Sequence, residues 1–351
     1  MGKILDIQPG DRILISRTDK LGDLVLALPF VETMKLRYPD CRIDILASLY
    51  ASPILENNKS IDGIVRVQND QLIKDQLYKK DLLHKIKLGN YNVVVALFPE
   101  RHVSQLFYKA AIPLRIGTAR RFHSVFFNYH IFHSRKVNKK HEYQYNLDFL
   151  QFFKRGKTVN EPRVYPKDKE VRNARRILGE VGINRNFVVL HPGSGGSAER
   201  WPLEKFIRLY QILSDAGVSV IISGSEPEGE TIRAKSQELG IPVTTIAGET
   251  DLRTLAAVVS LSDVVVANST GPLHVAVAVG TKVVGLYPGR KVMSPGRWGP
   301  VGKDHQVIQP LMKECKCPPD NCRCMETIPE EKVADAVVTL LAKQTGAAVS
   351  G

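Results

Sequence analysis

The sequence has no hydrophobic run long enough to cross a membrane. None of its apolar stretches reaches the ~18 residues that a membrane-spanning helix needs. Near the N-terminus, Asp6, Asp11 and Arg12 interrupt the apolar residues, so an export signal is not expected either. These two absences predict a cytoplasmic protein.

Common nucleotide-binding signatures are also missing. The chain contains no Gly-x-Gly-x-x-Gly fingerprint, which argues against an NAD-dependent epimerase. Its glycine-rich stretch at 191–197 lacks the Gly-Lys-Ser/Thr ending of a P-loop. It also has no recognised nucleic-acid-binding motif, so we rank nucleic acid last among the partners that its charge allows.

Cysteine is scarce: four of the five cysteines fall within ten residues, and Cys41 stands apart. The spacing C-x-C-x₄-C-x-C differs from the C-x₂-C pairs of common zinc sites, and a reducing cytoplasm disfavours disulfides. A structural zinc ion or iron–sulfur cluster is one interpretation, and free or redox-labile thiols in a surface loop are the preferred one. The four residues concerned are Cys315, Cys317, Cys322 and Cys324.

Positive charge is concentrated in the first half of the chain. The net charge is +13, and residues 1–165 carry 27 Lys and Arg against 16 Asp and Glu. Residues 101–165 alone carry 13 basic and 3 acidic residues. Such a block favours an anionic partner, and nucleic acid, an anionic membrane surface and a phosphorylated substrate all qualify; a solvated basic face is the alternative.

Short apolar runs alternate with segments of helical periodicity along the whole chain. The runs suit parallel strands buried on both faces, and they predict strands at 12–16, 42–46, 63–67, 91–97, 187–190, 218–222, 264–267 and 282–286. Between and after them the spacing predicts helices at 23–38, 203–216, 228–239, 252–261, 273–279 and 329–343. This alternation is typical of an α/β fold.

A polar segment divides the α/β pattern into two halves. Residues 154–169 have little apolar periodicity and include Pro162 and Pro166. We expect one Rossmann-like domain at 1–160, a second Rossmann-like domain at 161–330 and a C-terminal helix and tail at 331–351. Two doubly wound sheets should face one another across a cleft, with ligands at the carboxyl ends of their strands.

Two loops of the second half suit phosphate. In 191–197 (HPGSGGS), glycines permit close approach of the backbone, Ser194 and Ser197 offer hydroxyls, and Arg200 follows. In 268–274 (NSTGPLH), a helix begins after a strand, and its N-terminal N–H groups and dipole favour an anion. An ordinary glycine turn, a Ser/Thr cap and a buried structural His274 are the alternatives.

The first strand is followed by 17–23 (RTDKLGD), in which Gly22 permits a tight turn into a helix. Asp23 would lie at the end of the sheet, where a carboxylate can take a proton from an acceptor hydroxyl. The alternative role for Asp23 is to cap the helix.

Together these motifs resemble glycosyltransferase family 9, the heptosyltransferases of lipopolysaccharide core assembly. The resemblance covers most of the chain, and it is carried by 13–29 (ILISRTDKLGDLVLALP), 191–194 (HPGS), 200–202 (RWP), 223–225 (SGS) and 268–274. It implies a GT-B fold, with the acceptor on the N-terminal domain and the nucleotide-sugar on the C-terminal one. It also implies an inverting transfer that requires no metal ion or other cofactor.

The resemblance implies a role for particular residues. Asp23 matches the family's catalytic base. With the loop analysis, the donor diphosphate is expected at Ser194, Gly195, Arg200, Ser269, Thr270, Gly271 and His274, and the nucleoside at Gly224, Ser225, Glu228 and Leu252. Together with the charge analysis, the acceptor is expected at Lys20, Arg101, His102, Arg120 and Arg121.

The sequence departs from the family pattern at one position. Many members have an acid before the Ser/Thr-Gly pair of the last motif, and here Ser269 stands there. We expect transfer of a heptose from ADP-heptose to a lipopolysaccharide or lipooligosaccharide core acceptor. The alternatives are a related transferase with another donor sugar and a non-catalytic nucleotide-sugar-binding protein.

Overall fold

The computed structural model describes residues 4–119, 122–133, 135, 138–195, 199–311, 315 and 323–349. The chain divides into two compact units, Met1–Arg163 and Val164–Gly351. The sequence places the corresponding boundary after residue 160. Within the described residues no helix is both long and apolar enough to cross a membrane.

The first unit contains a sheet of six parallel strands. Apolar side chains fill its centre: Ile13, Leu14 and Ile15 are completely buried, as expected for a strand covered on both faces. The register pairs Ile13 with Ile43 on one side and with Val93 on the other. The strands are β1 (Arg12–Arg17), β2 (Arg42–Ser48), β3 (Gly63–Val67), β4 (Val93–Ala96), β5 (Leu114–Thr118) and β6 (Tyr129–Ile131).

Six helices connect these strands: α1 (Leu21–Val25), α2 (Leu28–Arg37), α3 (Asn69–Lys74), α4 (Gln76–Leu88), α5 (Arg101–Lys109) and α6 (Glu142–Leu147). The single helix predicted at 23–38 is wrong, because α1 and α2 are separate. Pro29 has no N–H to continue the hydrogen bonding of α1, and it lies in the first turn of α2, where proline is tolerated. The break leaves α1 as a short turn that carries Asp23.

The second unit contains five parallel strands: β7 (Phe187–His191), β8 (Ser219–Ile222), β9 (Val264–Asn268), β10 (Lys282–Leu286) and β11 (Gln306–Ile308). Its helices are α7 (Asp168–Glu180), α8 (Leu203–Asp215), α9 (Glu226–Leu239), α10 (Leu252–Leu261), α11 (Gly271–Ala278), α12 (Pro295–Trp298) and α13 (Glu330–Val349). Buried Val333, Val337 and Leu340 of α13 pack into the same hydrophobic core as β9 and β10. The C-terminal helix therefore belongs to the second unit.

The strand order locates one switch point in each sheet. The first sheet has the order β3-β2-β1-β4-β5-β6, so the chain reverses direction across the sheet between β1 and β4. The second has the order β11-β10-β9-β7-β8, with its reversal between β9 and β7. Ligands of such sheets bind beyond the carboxyl ends of the strands at these reversals. The residues that follow β1, β4, β7 and β9 are therefore the first places to look for a site.

Candidate active site

Asp23 lies at the switch point of the first sheet. The chain leaves β1 at Arg17 and turns into α1, in which Asp23 is the third residue. Lys20 occupies the N-cap position and makes no side-chain capping hydrogen bond. The carboxylate of Asp23 accepts a hydrogen bond from Nη2 of Arg17 instead. The helix-capping interpretation of Asp23 is therefore wrong.

A buried guanidinium organises the groups around Asp23. Arg17 is completely buried; its Nε donates to Oδ1 of Asp19 at 2.7 Å, and its Nη1 donates to Glu142 at 3.1 Å and to Oδ1 of Asn146 at 2.9 Å. The ring of Phe98 lies 5.4 Å from the guanidinium carbon. A buried charge is stable only when its hydrogen bonds are satisfied, and these contacts satisfy it.

A second cation, Arg135, joins this cluster through Glu142 of α6. Nε of Arg135 lies 2.9 Å from Oε1 of Glu142, and Nη2 of Arg135 donates to the carbonyl oxygen of Leu97 after β4. Glu142 is completely buried between the two guanidinium groups of Arg17 and Arg135. The sequence indicated no role for Arg17, Arg135 or Glu142. Arg17 lies inside the quoted motif, but Glu142 is 125 residues away from it.

The surroundings of Asp23 give its carboxyl group an unusual pKa. Burial and the neighbouring Asp19 carboxylate raise the pKa of Asp23 to about 7, although Arg17 opposes the shift. Burial lowers the pKa of Arg17, but the carboxylates of Asp19, Asp23 and Glu142 more than offset this, so its net shift is upward. A carboxylate with a pKa near neutrality is a competent general base at physiological pH.

The predicted acceptor residues lie in two places at the same edge of the sheet. Lys20 is exposed beside α1, while Arg101 is exposed and His102 half-buried in the first turn of α5. The preceding Glu100 accepts a hydrogen bond from the hydroxyl of Thr18 at 3.2 Å, which ties this turn to the end of β1. The other two predicted residues, Arg120 and Arg121, lie outside the described residues.

The side-chain amide of Asn268 connects the two predicted phosphate loops of the second unit. Asn268, the last residue of β9, accepts a hydrogen bond from the backbone N–H of Trp201 at 2.9 Å. Its Nδ2 donates to the carbonyl oxygen of Pro192 at 2.9 Å. The loop after β7 and the loop after β9 are therefore held together at the switch point of the second sheet, where an anion is expected.

The loop after β7 is shaped by glycine. A Cβ at Gly193 would lie 2.4 Å from Oε1 of Glu228, and Gly195 has a φ of +50°. Ser194 is buried, whereas Arg200 is exposed. Gly195 is exposed, so its backbone is open to a ligand. Ser197 lies outside the described residues.

The loop after β9 leads into the N-terminus of α11, where an anion can bind. Thr270 is the N-cap, yet its hydroxyl donates to the carbonyl oxygen of Asn268 at 3.2 Å and makes no capping bond. Gly271 and Pro272 form the first turn, so the N-terminal end of the helix dipole lies at this loop. Ser269 hydrogen-bonds to the buried hydroxyl of Tyr287. His274 is buried one turn into the helix.

Three of the four predicted nucleoside residues form a local hydrogen-bonded turn. Oε2 of Glu228 accepts from the backbone N–H of Ser225 at 2.8 Å and from its hydroxyl at 2.9 Å. Gly224 accepts from Gly248 at 3.1 Å. Leu252 begins α10, away from these bonds, and is half-buried.

A buried histidine lies beneath this turn. Nδ1 of His191 lies 2.9 Å from the hydroxyl oxygen of Ser223. Burial lowers the pKa of His191 to about 4, although Glu228 opposes the shift, so the imidazole is neutral at physiological pH. The sequence quoted His191 within the motif but predicted no role for it.

The cysteine cluster is only partly described. Cys315 is half-buried and Cys324 is buried in the core of the second unit, whereas Cys317 and Cys322 lie outside the described residues. Among the described residues, no three His, Cys, Asp or Glu side chains are placed to bind a metal ion. A structural metal at this cluster stays a prediction.

Comparison with known proteins identifies the family of the chain. The model of glycosyltransferase family 9 (heptosyltransferase) matches residues 80–326. The chain belongs to glycosyltransferase family 9. It is therefore a glycosyltransferase, as the sequence predicts, and its two parallel sheets have the GT-B fold.

Individual relatives are distant. A provisionally named glycosyltransferase of Haemophilus influenzae is 28% identical over 306 residues, which cover 83% of this chain and 86% of that protein. The lipopolysaccharide heptosyltransferase 3 of Escherichia coli K12 is 24% identical over 76% of this chain and 79% of its own length. The solved structure of E. coli heptosyltransferase WaaC with ADP has a TM-score of 0.74 and 19% identity, covering 94% of this chain and 99% of that one.

Proposed function

We propose that this family 9 enzyme transfers a heptose from ADP-heptose to the core of a lipopolysaccharide or lipooligosaccharide acceptor, with inversion at the anomeric carbon. The heptosyltransferase names of its relatives support the sugar and the acceptor class, and the ADP bound to WaaC supports the nucleotide. The observation that carries the proposal is the half-buried carboxylate of Asp23, with a pKa of about 7, at the switch point of the first sheet.

Asp23 is the general base of the proposed reaction. Its carboxylate takes the proton of the acceptor hydroxyl, and the hydroxyl oxygen attacks the anomeric carbon as the bond to the donor phosphate breaks. Arg17 holds the carboxylate in place through their hydrogen bond. Lys20, Arg101 and His102, with Arg120 and Arg121, hold the anionic groups of the acceptor.

The second unit binds the leaving nucleoside diphosphate. Negative charge that develops on the diphosphate is stabilised by the N-terminus of α11 and by Arg200, with Ser194, Gly195, Ser269, Thr270, Gly271 and His274 lining the same loops. These groups can neutralise the charge without a divalent cation, so we propose that no metal ion or other cofactor is required. Gly224, Ser225, Glu228 and Leu252 bind the nucleoside.

We also propose that the enzyme works in the cytoplasm, at the inner surface of the cytoplasmic membrane. The basic surplus of residues 101–165 matches the charge of a phosphorylated glycolipid and of anionic lipids.

One observation favours a second candidate for the donor sugar. Ser269 replaces an acid of many relatives, and its side chain is held by Tyr287, whose hydroxyl donates to the carbonyl oxygen of Trp298 at 2.7 Å. A hydroxyl fixed in this way forms different hydrogen bonds with a sugar than a carboxylate does. A donor sugar other than heptose, on the same nucleotide scaffold, is therefore the alternative.

The test combines nucleotide binding with turnover. ADP should bind more tightly than UDP or GDP by calorimetry. Replacement of Asp23 by Ala should lower turnover from ADP-heptose at least about 100-fold, because general base catalysis typically contributes that much, and should leave the ADP affinity unchanged. The control variant is Asp81→Ala, whose carboxylate is exposed on α4 and pairs with Lys85. Near-normal turnover of the Asp23 variant would refute the base, and turnover abolished by EDTA would refute metal independence.

A further inference from the structure

The 41 residues from 101 to 141 are unusual in charge and in aromatic content. They contain nine Lys and Arg, five His and no Asp or Glu. They also contain seven Phe and Tyr residues. Aromatic rings interleaved with cations are typical of surfaces that lie at the boundary between lipid headgroups and acyl chains.

Among the described residues of this segment, Phe122, Phe132 and Val125 have the most exposed large apolar side chains, followed by Tyr108 at 56%. Phe122 and Val125 lie on a short 3₁₀ turn after β5, and Phe132 follows β6 directly. Phe122 is fully exposed, Phe132 is 81% exposed and Val125 is 74% exposed. A single exposed apolar residue is ordinary, but two phenylalanines and a valine within 11 residues need an explanation.

The turn that carries Phe122 and Val125 is anchored on its inner side. Phe127 is buried in the core of the first unit, and a Cβ at Gly117 would lie 2.6 Å from its ring. Nε2 of His130 lies 3.0 Å from the carbonyl oxygen of Ser124. The two exposed side chains therefore project from a turn whose inner face is well packed.

Phe132 is held in the same manner. The residue before it, Ile131, is buried, and its carbonyl oxygen accepts from the N–H of Ala119 at 3.1 Å. The residue after it, His133, packs edge-on against Tyr145 with ring centres 5.1 Å apart. Both neighbours are fixed, and Phe132 alone faces solvent.

This surface adjoins the carboxylate site of the first unit. Nε2 of His123 lies 2.8 Å from the carbonyl oxygen of Pro99, in the loop after β4. The carbonyl oxygen of Leu97, in the same loop, accepts from Arg135, which pairs with Glu142 of the Asp23 cluster. An acceptor that is anchored in a bilayer would meet this surface next to Asp23.

We propose that Phe122, Val125 and Phe132 form a membrane-docking surface that inserts into an anionic lipid bilayer beside the acceptor site. Residues 101–141 contain no Asp or Glu, so the surface suits an anionic partner. Its exposed aromatic rings suit a partner with an apolar interior, which an anionic bilayer has. A phosphorylated protein or sugar would match the charge but not the rings. The proposal deepens the membrane contact named above and does not require heptose transfer.

The test measures binding of the full chain to vesicles by sedimentation. Vesicles of phosphatidylcholine with about 30% phosphatidylglycerol should bind the protein at about 0.1 M salt, and phosphatidylcholine alone should bind it less. The variant F122S/F132S should bind the anionic vesicles at least about tenfold more weakly, since it loses the insertion of two rings. The matched control L77S/L88S removes two exposed leucines of α4 and should bind as the unchanged protein does.

Three outcomes would overturn the proposal. The first is unchanged vesicle binding by F122S/F132S, and the second is an equal loss in L77S/L88S. The third is a dimer of the unchanged chain that F122S/F132S dissociates in solution, which would assign the surface to a second copy. A circular dichroism spectrum and a thermal unfolding curve that match those of the unchanged protein show that the first unit of F122S/F132S is folded. On a delipidated, water-soluble acceptor, F122S/F132S should turn over as the unchanged protein does. Failure of the unchanged protein to transfer heptose to that acceptor would count against the proposed function and not against docking.

Discussion

The pKa of Asp23 is set by burial and by neighbouring charges with opposing effects. Its pKa of about 7 results first from burial, then from the Asp19 carboxylate, against the attraction of Arg17. An aspartate whose folded pKa exceeds its unfolded value destabilises the folded chain as pH rises from about 4 to about 7, because only the folded state still holds the proton. Above a pH of about 7 this destabilisation of the folded chain stays constant, because Asp23 is then ionised in both states. The raised pKa of Asp23 therefore lowers the stability of the folded chain, and it gives a base that can also release its proton.

The first prediction concerns the charge on Asp19. Turnover should rise with pH through an apparent pKa of about 7, because only the ionised Asp23 accepts a proton. Asp19→Asn removes the carboxylate that raises this pKa, so the acidic limb should move to lower pH. The measurement is kcat/KM from pH 5 to 9.

The control for this prediction is Asp81→Asn, which neutralises an exposed acid of the same unit. Its profile should coincide with that of the unchanged enzyme. A limb that stays in place in Asp19→Asn, or moves to higher pH, would contradict the assignment of the limb to Asp23.

At the scale of elements, the sequence could predict what local pattern encodes. The apolar runs of β1 and β10 and the periodicity of α10 are sufficient to locate them, since each is regular over its own length. Strands β5, β6 and β11 were not predicted; β6 and β11 have only three residues, and β5 carries Arg115, whose Nε donates to the carbonyl oxygen of Phe126. Strands this short, or interrupted by a charge, depend on tertiary pairing.

The same limit applies to the site. The sequence predicts roles for Asp23 and Gly193, because switch-point loops follow directly from the strand pattern. It contains Asn268 in a motif but indicates no role for that residue. The sequence indicates no role for Glu142, because its pairing with Arg17 depends on the packing of α6 near the end of β1. Buried ion pairs between distant segments leave no periodic trace in the sequence.

Helix α6 supplies the second prediction, because its Glu142 pairs with the buried Arg17 and the half-buried Arg135. Glu142→Gln leaves Arg17 and Arg135 without their shared carboxylate and should lower the free energy of unfolding by about 3–5 kcal/mol. Turnover should fall as well, since Arg17 positions Asp23. Thermal unfolding at pH 7.5 to 8, about where Asp23 is ionised, measures the first effect.

The comparison variant is Glu180→Gln, which breaks the exposed Arg176–Glu180 pair of α7. Exposed pairs contribute little, so its stability and turnover should be nearly unchanged. Equal melting temperatures for the two variants would show that Glu142 is not the centre of the cluster.

At the scale of the whole molecule, the two units divide the work that the proposed reaction needs. Each is a parallel sheet with its own hydrophobic core and its own switch point, and the functional loops of each follow the strands at that point. The excess positive charge lies almost entirely in the first unit, with the candidate base, whereas the helix dipole and the Asn268 contacts lie in the second. In the proposed reaction, two similar scaffolds thus serve a membrane-bound acceptor and a soluble donor.

The last prediction tests this division on the intact chain. Saturating ADP should slow hydrogen exchange at the backbone amides of 193–195 and 269–271, because those N–H groups bind phosphate oxygens and those loops become ordered. Amides of 12–17 in β1 and of 101–109 in α5 should exchange as they do without nucleotide, since the first unit has no part in binding ADP. UDP at the same concentration is the control and should protect the loops less. Protection of α5 by ADP at the level seen in the second unit would place the nucleotide on both units and refute the division between donor and acceptor.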